Sequence, residues 1–329
     1  MQIRYVLYAM FLLTNQSDVN KLDSVNSQTS EVYRGLRLDI DAIIVRLKQL
    51  RQEGYEKYIT FNGARIRYTV IGAGPTVVLL HGLGGFLETW GLNMIPLSDH
   101  YKVYALDLPG HGLSDKLEGC YIPDCATGFL TNIMDKLGIE RATLIGHSLG
   151  GAISINTAAN FPNRVDKLVL VSSAGLSRKV PTSYRLLSMP LLGKFTIMLA
   201  GKYLLNRGMR NLFHKLDYVS TDIRSLVMAS PYKPLKAEEL LGIARHNVGI
   251  GGLRQHSLMI DKLPSIRTQT LFIHGARDKV FPLEHVNKSF SLVPNAIVKL
   301  FNYCGHLPHV ERPLKFNETV LSFLNKQDA

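Results

Sequence analysis

At 329 residues the chain is long enough for one large α/β domain carrying an insertion, or for two modest domains. Apolar residues make up 46% and charged residues 19%, which excludes a disordered chain and allows a substantial core. The formal charge is +12, and residues 176–264 hold 14 Lys and Arg against 5 Asp and Glu, nine of the twelve net positive charges. A basic surface raises the question of nucleic acid, but this stretch is also strongly apolar and carries no nucleic-acid module, so anionic lipid or an amphiphilic substrate fits it better. Three cysteines, Cys120, Cys125 and Cys304, are too few and too odd for a disulfide framework and suit a reduced compartment. Cys120 and Cys125 have no companion pair at zinc spacing, so no metal is expected.

In chain order, Arg4 precedes a short apolar run, Tyr5 to Leu13, too short to span a bilayer as a helix. One basic residue before it and no Ala-x-Ala pattern after it make a poor secretory signal. The expectation is a cytoplasmic or membrane-associated protein, with export through this segment as the alternative. Residues 14–30 are rich in Asn, Ser, Gln and Asp and read as disordered, so 1–38 is set apart as an N-terminal segment. Over 39–54, Ile40, Ile43, Ile44, Leu47 and Leu50 fall at helical spacing and predict a short amphipathic helix. Tyr58–Phe61 and Ile66–Ile71 then read as strands joined at Asn62-Gly63, a hairpin signal.

Short apolar runs follow at Thr76–Leu80, Val103–Asp107, Thr143–Gly146 and Lys167–Ser172, each separated by a helix-length segment. Strands buried on both faces lose polar alternation, so the expected fold is α/β with a mostly parallel, doubly wound sheet. The alternation stops at Gly175. It resumes with Thr270–His274, a helical Leu283–Val293, a strand Ile297–Phe301 and a helix after Pro313. Residues 55–175 and 265–329 are therefore the two parts of one core. Between them 176–264, with its leucine-rich run around Pro190, Gly193 and Gly201, is expected to be a helical lid inserted between the sixth and seventh strands.

The chemistry centres on Gly146-His147-Ser148-Leu149-Gly150-Gly151, between a buried strand and the helical pattern Ala152–Asn160. A serine at a sharp strand-to-helix turn has its hydroxyl pushed out at the carboxyl edge of the sheet, and the crowded turn needs small neighbours. The helix that starts at Leu149 adds a positive dipole end and free N–H groups. Read blandly, the motif is only a glycine-rich turn that binds phosphate; its strand–helix context favours a nucleophile.

Four stretches resemble the α/β-hydrolase superfamily over roughly Tyr55 to Leu324. They are His81-Gly82-Leu83-Gly84-Gly85, Asp107-Leu108-Pro109-Gly110-His111-Gly112, the Ser148 turn, and Gly305-His306 after the last strand. The resemblance implies Ser148 as nucleophile and His306 as general base, with His309, three residues on, as the rival for that role. It implies Asp278, delivered by the loop after Phe272-Ile273-His274-Gly275, as the orienting acid. Some family members carry the acid one strand earlier, but Ser172-Ser173-Ala174-Gly175 offers none there, and Asp107 belongs to a structural Asp-x-Pro-Gly turn. By the same resemblance the backbone N–H groups of Leu83 and Leu149 form the oxyanion hole.

Serine at the elbow argues against epoxide opening and dehalogenation, which the family performs with aspartate. Relatives that cleave carbon–carbon bonds often have an aromatic residue after the histidine, where this chain has Leu307-Pro308. The leading expectation is hydrolysis of a carboxylic ester with an apolar acyl chain, on an ester or lipid substrate. Carbon–carbon hydrolysis, acyl transfer and perhydrolysis are alternatives on the same three residues, and a non-catalytic ligand receptor or scaffold is the alternative of another class. No cofactor is expected, since no Walker pattern is present and Gly72-x-Gly74 leads through Pro75 into a strand. Expected partners exclude nucleic acid and include an anionic membrane met by the basic cap, notably Lys194, Lys202, Arg207 and Arg210.

Overall fold

A computed structural model of the chain describes residues 40–50, 52–117, 123–215, 219, 237–294 and 296–326. The chain divides into two compact units, 1–42 and 43–329. Almost all of the first, including the apolar run Tyr5–Leu13 and the polar stretch 14–30, lies outside the described residues. The second unit opens on helical residues that bury Ile43, Ile44, Leu47 and Leu50, the face expected from their spacing.

Eight strands form one sheet: β1 (Lys57–Phe61), β2 (Ala64–Ile71), β3 (Thr76–Leu80), β4 (Lys102–Leu106), β5 (Ala142–His147), β6 (Val165–Val171), β9 (Thr270–Gly275) and β10 (Ala296–Phe301). A separate two-stranded ribbon, β7 (Val248–Gly249) and β8 (Gly252–Leu253), lies between β6 and β9 in sequence. The sheet order is β1-β2-β4-β3-β5-β6-β9-β10, with β2 antiparallel to both its neighbours and the rest parallel. Asn62 and Gly63 both have positive φ, 47° and 80°, the turn that matches the twist of a two-residue hairpin. Val77, Leu79 and Leu80 in β3, and Leu144 and Ile145 in β5, are fully buried because helices cover both faces of the sheet. Each such side chain contributes about 1.5–3 kcal/mol of burial, so the centre of the sheet is its most stable part.

The order reverses between β3 and β5, since β4 lies on one side of β3 and β5 on the other. In open α/β sheets such a reversal, at the carboxyl ends of the two strands, is the usual place for a ligand site. Helix Leu149–Asn160 leaves β5 and packs on β5, β6 and helix Pro123–Lys136.

Between β6 and β9 the chain forms helices Thr182–Ser188, Pro190–Leu212 and Ala237–Asn247. Residues 216–218 and 220–236 of this stretch lie outside the described set. Among the described residues no helix is long and apolar enough to cross a membrane. One expectation is corrected: Cys125 is disulfide-bonded, its partner lying outside the described residues, while Cys304 is free and buried. An odd count of three leaves room for one bridge and one thiol, which composition alone cannot distinguish from three thiols.

Candidate active site

Ser148 sits between β5 and its helix with φ 50° and ψ −110°, a backbone conformation costly for any residue with a Cβ. The surroundings enforce it. Ser148 N–H donates to the Val171 carbonyl at 2.9 Å, and its own carbonyl accepts from Ala152 at 3.1 Å and Ala174 at 3.0 Å. A Cβ at Gly146 would fall on the Gly150 carbonyl, and one at Gly150 on the Leu80 carbonyl, so neither position admits a side chain. The loop after β3 comes equally close: a Cβ at Gly82 would stand 3.0 Å from Ser148 Cβ. Leu149 is the first residue of the helix, where backbone N–H groups have no intrahelical partner, and Leu83 follows Gly82 in the facing loop.

Asp278 and His306 arrive from the ends of β9 and β10 and meet. His306 Nδ1 lies 2.8 Å from Asp278 Oδ2, with both side chains buried. Asp278 Oδ1 accepts from Val280 N–H at 2.8 Å and Phe281 N–H at 2.9 Å. Burial alone would raise this carboxyl, but the His306 ring and these hydrogen bonds outweigh it and hold it below its usual range. An ionised carboxylate only accepts, so the proton on His306 is fixed at Nδ1 and Nε2 keeps its lone pair. That is the tautomer a general base requires.

The other histidines are committed elsewhere. His81 Nε2 accepts from Leu108 N–H at 3.0 Å and its Nδ1 donates to the Gly82 carbonyl at 2.8 Å; burial, helped by His111, lowers it to about 3. His274 stands 3.6 Å from Asp278 Oδ2, but its Nε2 donates to the Phe281 carbonyl at 2.9 Å, and burial outweighs the carboxylate and lowers its pKa. His309 is fully buried, packed 4.3 Å from the Trp90 ring, and is lowered to about 3 by burial and by His306. It is His306, not His309, that meets the carboxylate.

Asp107, as expected, is engaged in the frame. Its carboxylate accepts from Leu87 N–H at 2.7 Å, Leu113 N–H at 2.9 Å and buried Arg67 at 3.1 Å.

Residues 75–205 match the alpha/beta hydrolase fold family. The dihydrolipoyllysine-residue acetyltransferase component of the acetoin cleaving system of Cupriavidus necator is 32% identical over 79% of this chain and 67% of its own. The chain belongs to the α/β-hydrolase family. This α/β-hydrolase is also 29% identical to a 2-hydroxy-6-oxo-2,4-heptadienoate hydrolase of Pseudomonas putida, over 78% of this chain and 92% of that one. Among solved structures it is similar to a membrane phospholipase A, with a TM-score of 0.66 and 25% identity, covering 91% of this chain and 98% of the other.

Three contributors to the hydrolase site were not read from the sequence. His147 Nε2 donates to the His306 carbonyl at 2.9 Å, tying the elbow to the histidine loop. The last carbonyl of helix Pro190–Leu212 accepts from His306 N–H at 2.7 Å. Glu311 then links the two segments, accepting from Gly305 N–H at 2.8 Å and His214 N–H at 2.9 Å. Gly305 has no room for a side chain, since a Cβ there would stand 2.6 Å from His214 N. No motif announces a carbonyl acceptor or a glutamate from a neighbouring turn; the order of residues around His306 carries no trace of what packs on it.

Proposed function

We propose that this α/β-hydrolase cleaves carboxylic esters of an apolar acyl chain through an acyl-enzyme on Ser148. The observation that carries the reading is the buried Asp278–His306 pair at 2.8 Å, together with a serine held in a strained elbow whose neighbour His147 bonds the His306 carbonyl. In the proposed cycle His306 Nε2 takes the proton from Ser148 Oγ as the Oγ–C bond forms. The N–H groups of Leu83 and Leu149 receive the negative charge that develops on the carbonyl oxygen. His306 next gives its proton to the departing alkoxide. Water, deprotonated by the same Nε2, releases the acid and restores the serine. Asp278 remains ionised throughout and stabilises the imidazolium.

Leu307 and Pro308 after His306 weigh against carbon–carbon hydrolysis, and the long, apolar 176–264 stretch favours an ester with an acyl chain of some length. Carbon–carbon hydrolysis is the second reading, favoured by the 29% identity to the heptadienoate hydrolase. The discriminating experiment compares nitrophenyl esters from acetate to palmitate with a ring-opened 2-hydroxy-6-oxodienoate, using wild type and Ser148→Ala. Ester turnover is expected, falling on the order of 10⁶-fold in Ser148→Ala. Faster turnover of the dienoate than of any ester would replace the ester reading with the carbon–carbon one. Residual activity above roughly a hundredth in Ser148→Ala would remove Ser148 from the mechanism. Failure of a fluorophosphonate to label Ser148 would favour a receptor.

A further inference from the structure

Helix Pro190–Leu212 has two unlike sides. At its inner side Gly193 allows close packing: a Cβ there would fall on the Leu187 carbonyl and stand 3.0 Å from Leu241 Cδ2, so helices Thr182–Ser188 and Ala237–Asn247 press against it. On the opposite side Leu191, Leu192, Phe195, Met198 and Leu199 recur at helical spacing as one stripe. They are 79%, 53%, 58%, 69% and 75% exposed. Scattered exposed leucines need no explanation, but five large apolar side chains on one face of three turns form a patch of the kind that marks an interaction site.

The charge on the same helix indicates the partner. Residues 190–212 contain Lys194, Lys202, Arg207 and Arg210 and no Asp or Glu. Lys194, Arg207 and Arg210 are exposed, whereas the Lys202 side chain lies outside the described set. At 100° per residue Lys194 flanks the stripe on one side, and Arg210 lies in line with Leu192 and Leu199 further along. A second copy of this chain would bring the same positive charge against itself, which opposes self-association through this face. An acidic, partly apolar surface satisfies both features: the side chains enter the acyl region while the basic heads reach anionic headgroups.

We propose that the outer face of helix Pro190–Leu212 docks onto an anionic phospholipid surface. The docking itself does not depend on which bond the enzyme cleaves, and its test needs no turnover.

The full-length protein is co-sedimented with vesicles of phosphatidylcholine alone and of phosphatidylcholine with phosphatidylglycerol, at low and physiological salt. Binding is expected only with phosphatidylglycerol and weakens as salt rises. Lys194→Gln with Arg210→Gln should weaken it about 25-fold, fivefold for each charge removed. Leu191→Gln, Phe195→Gln and Leu199→Gln together should abolish it, since each loses about tenfold of apolar transfer. These positions are exposed, so an unchanged urea midpoint verifies the fold of both variants. Equal, salt-insensitive recovery in both vesicle types overturns the proposal. So does undiminished binding of the apolar triple variant, which would assign the contact to another segment such as 1–38. A wild-type dimer that the triple variant converts to monomer overturns it in favour of a second copy.

Discussion

Asp278→Asn tests the electrostatic logic of the site at the level of single protons. In the native protein Oδ1 accepts two backbone N–H groups, from Val280 and Phe281, while Oδ2 faces His306 Nδ1. An amide at this position has one acceptor and one donor, and the two N–H groups decide which goes where. Turning the NH₂ toward them would orphan two buried donors at roughly 1–3 kcal/mol each, about 2–6 kcal/mol together. Even the lower bound leaves only about 3% of molecules with the amide oxygen toward His306. The NH₂ therefore donates to Nδ1, the imidazole proton moves to Nε2, and the nitrogen that should accept the Ser148 proton is already occupied. Turnover of nitrophenyl butyrate, per folded molecule, should drop about 10⁴-fold. Far-UV circular dichroism and the urea midpoint should show a folded protein. Asp278→Ala should be no worse than Asp278→Asn in rate, because it imposes no wrong tautomer. A folded Asp278→Asn variant keeping a tenth of wild-type activity, or clearly outperforming Asp278→Ala, would refute the assigned role.

Three further outcomes follow from other parts of the structure. Asp107→Asn breaks one arm of the ion pair on buried Arg67 and should cost about 3 kcal/mol in urea unfolding, with kcat per folded molecule nearly unchanged; selective loss of kcat would move Asp107 into the chemistry. Gly150→Val drives a branched side chain into the Leu80 carbonyl and should impair both folding and turnover, whereas a stable, active variant would mean the elbow is not built as described. Stability should also fall in mild acid. His81 and His309 are held neutral, near 3, so the unfolded chain takes up their protons below about 6.5 and the folded chain does not. From about pH 7.5 to 5.5 that costs roughly 1.4 kcal/mol per ring, about 3 kcal/mol for the pair. Asp107, lifted to about 6 by burial despite Arg67, takes up its proton earlier when folded and offsets about 0.8 kcal/mol, leaving about 2. A urea midpoint that is flat over this range would show the two rings to be solvated.

The parts of the molecule legible in the sequence are those whose cause is local. Buried parallel strands lose polar alternation and the first two strands flank a hairpin signal, so all eight sheet strands were placed to within about two residues, a boundary uncertainty inherent in such patterns. Asn62-Gly63 announced its turn because those residues tolerate positive φ, and the glycines around Ser148 announced the elbow because no other residue fits. Asp278 and His306 were singled out through the family resemblance, and each follows a strand of the sheet. What tertiary structure alone decided is everything set by contact across the chain. The distance between Asp278 and His306, and hence the tautomer, depends on β9 and β10 lying side by side. The burial that neutralises His309 comes from Trp90, more than two hundred residues earlier. Glu311 and the Leu212 carbonyl hold the histidine loop through backbone N–H groups, which every residue type except proline possesses and no sequence pattern can mark. The apolar run 191–199 was visible as a string of letters. That its large side chains face outward was not, because helical periodicity defines a face and only packing decides which face the core takes.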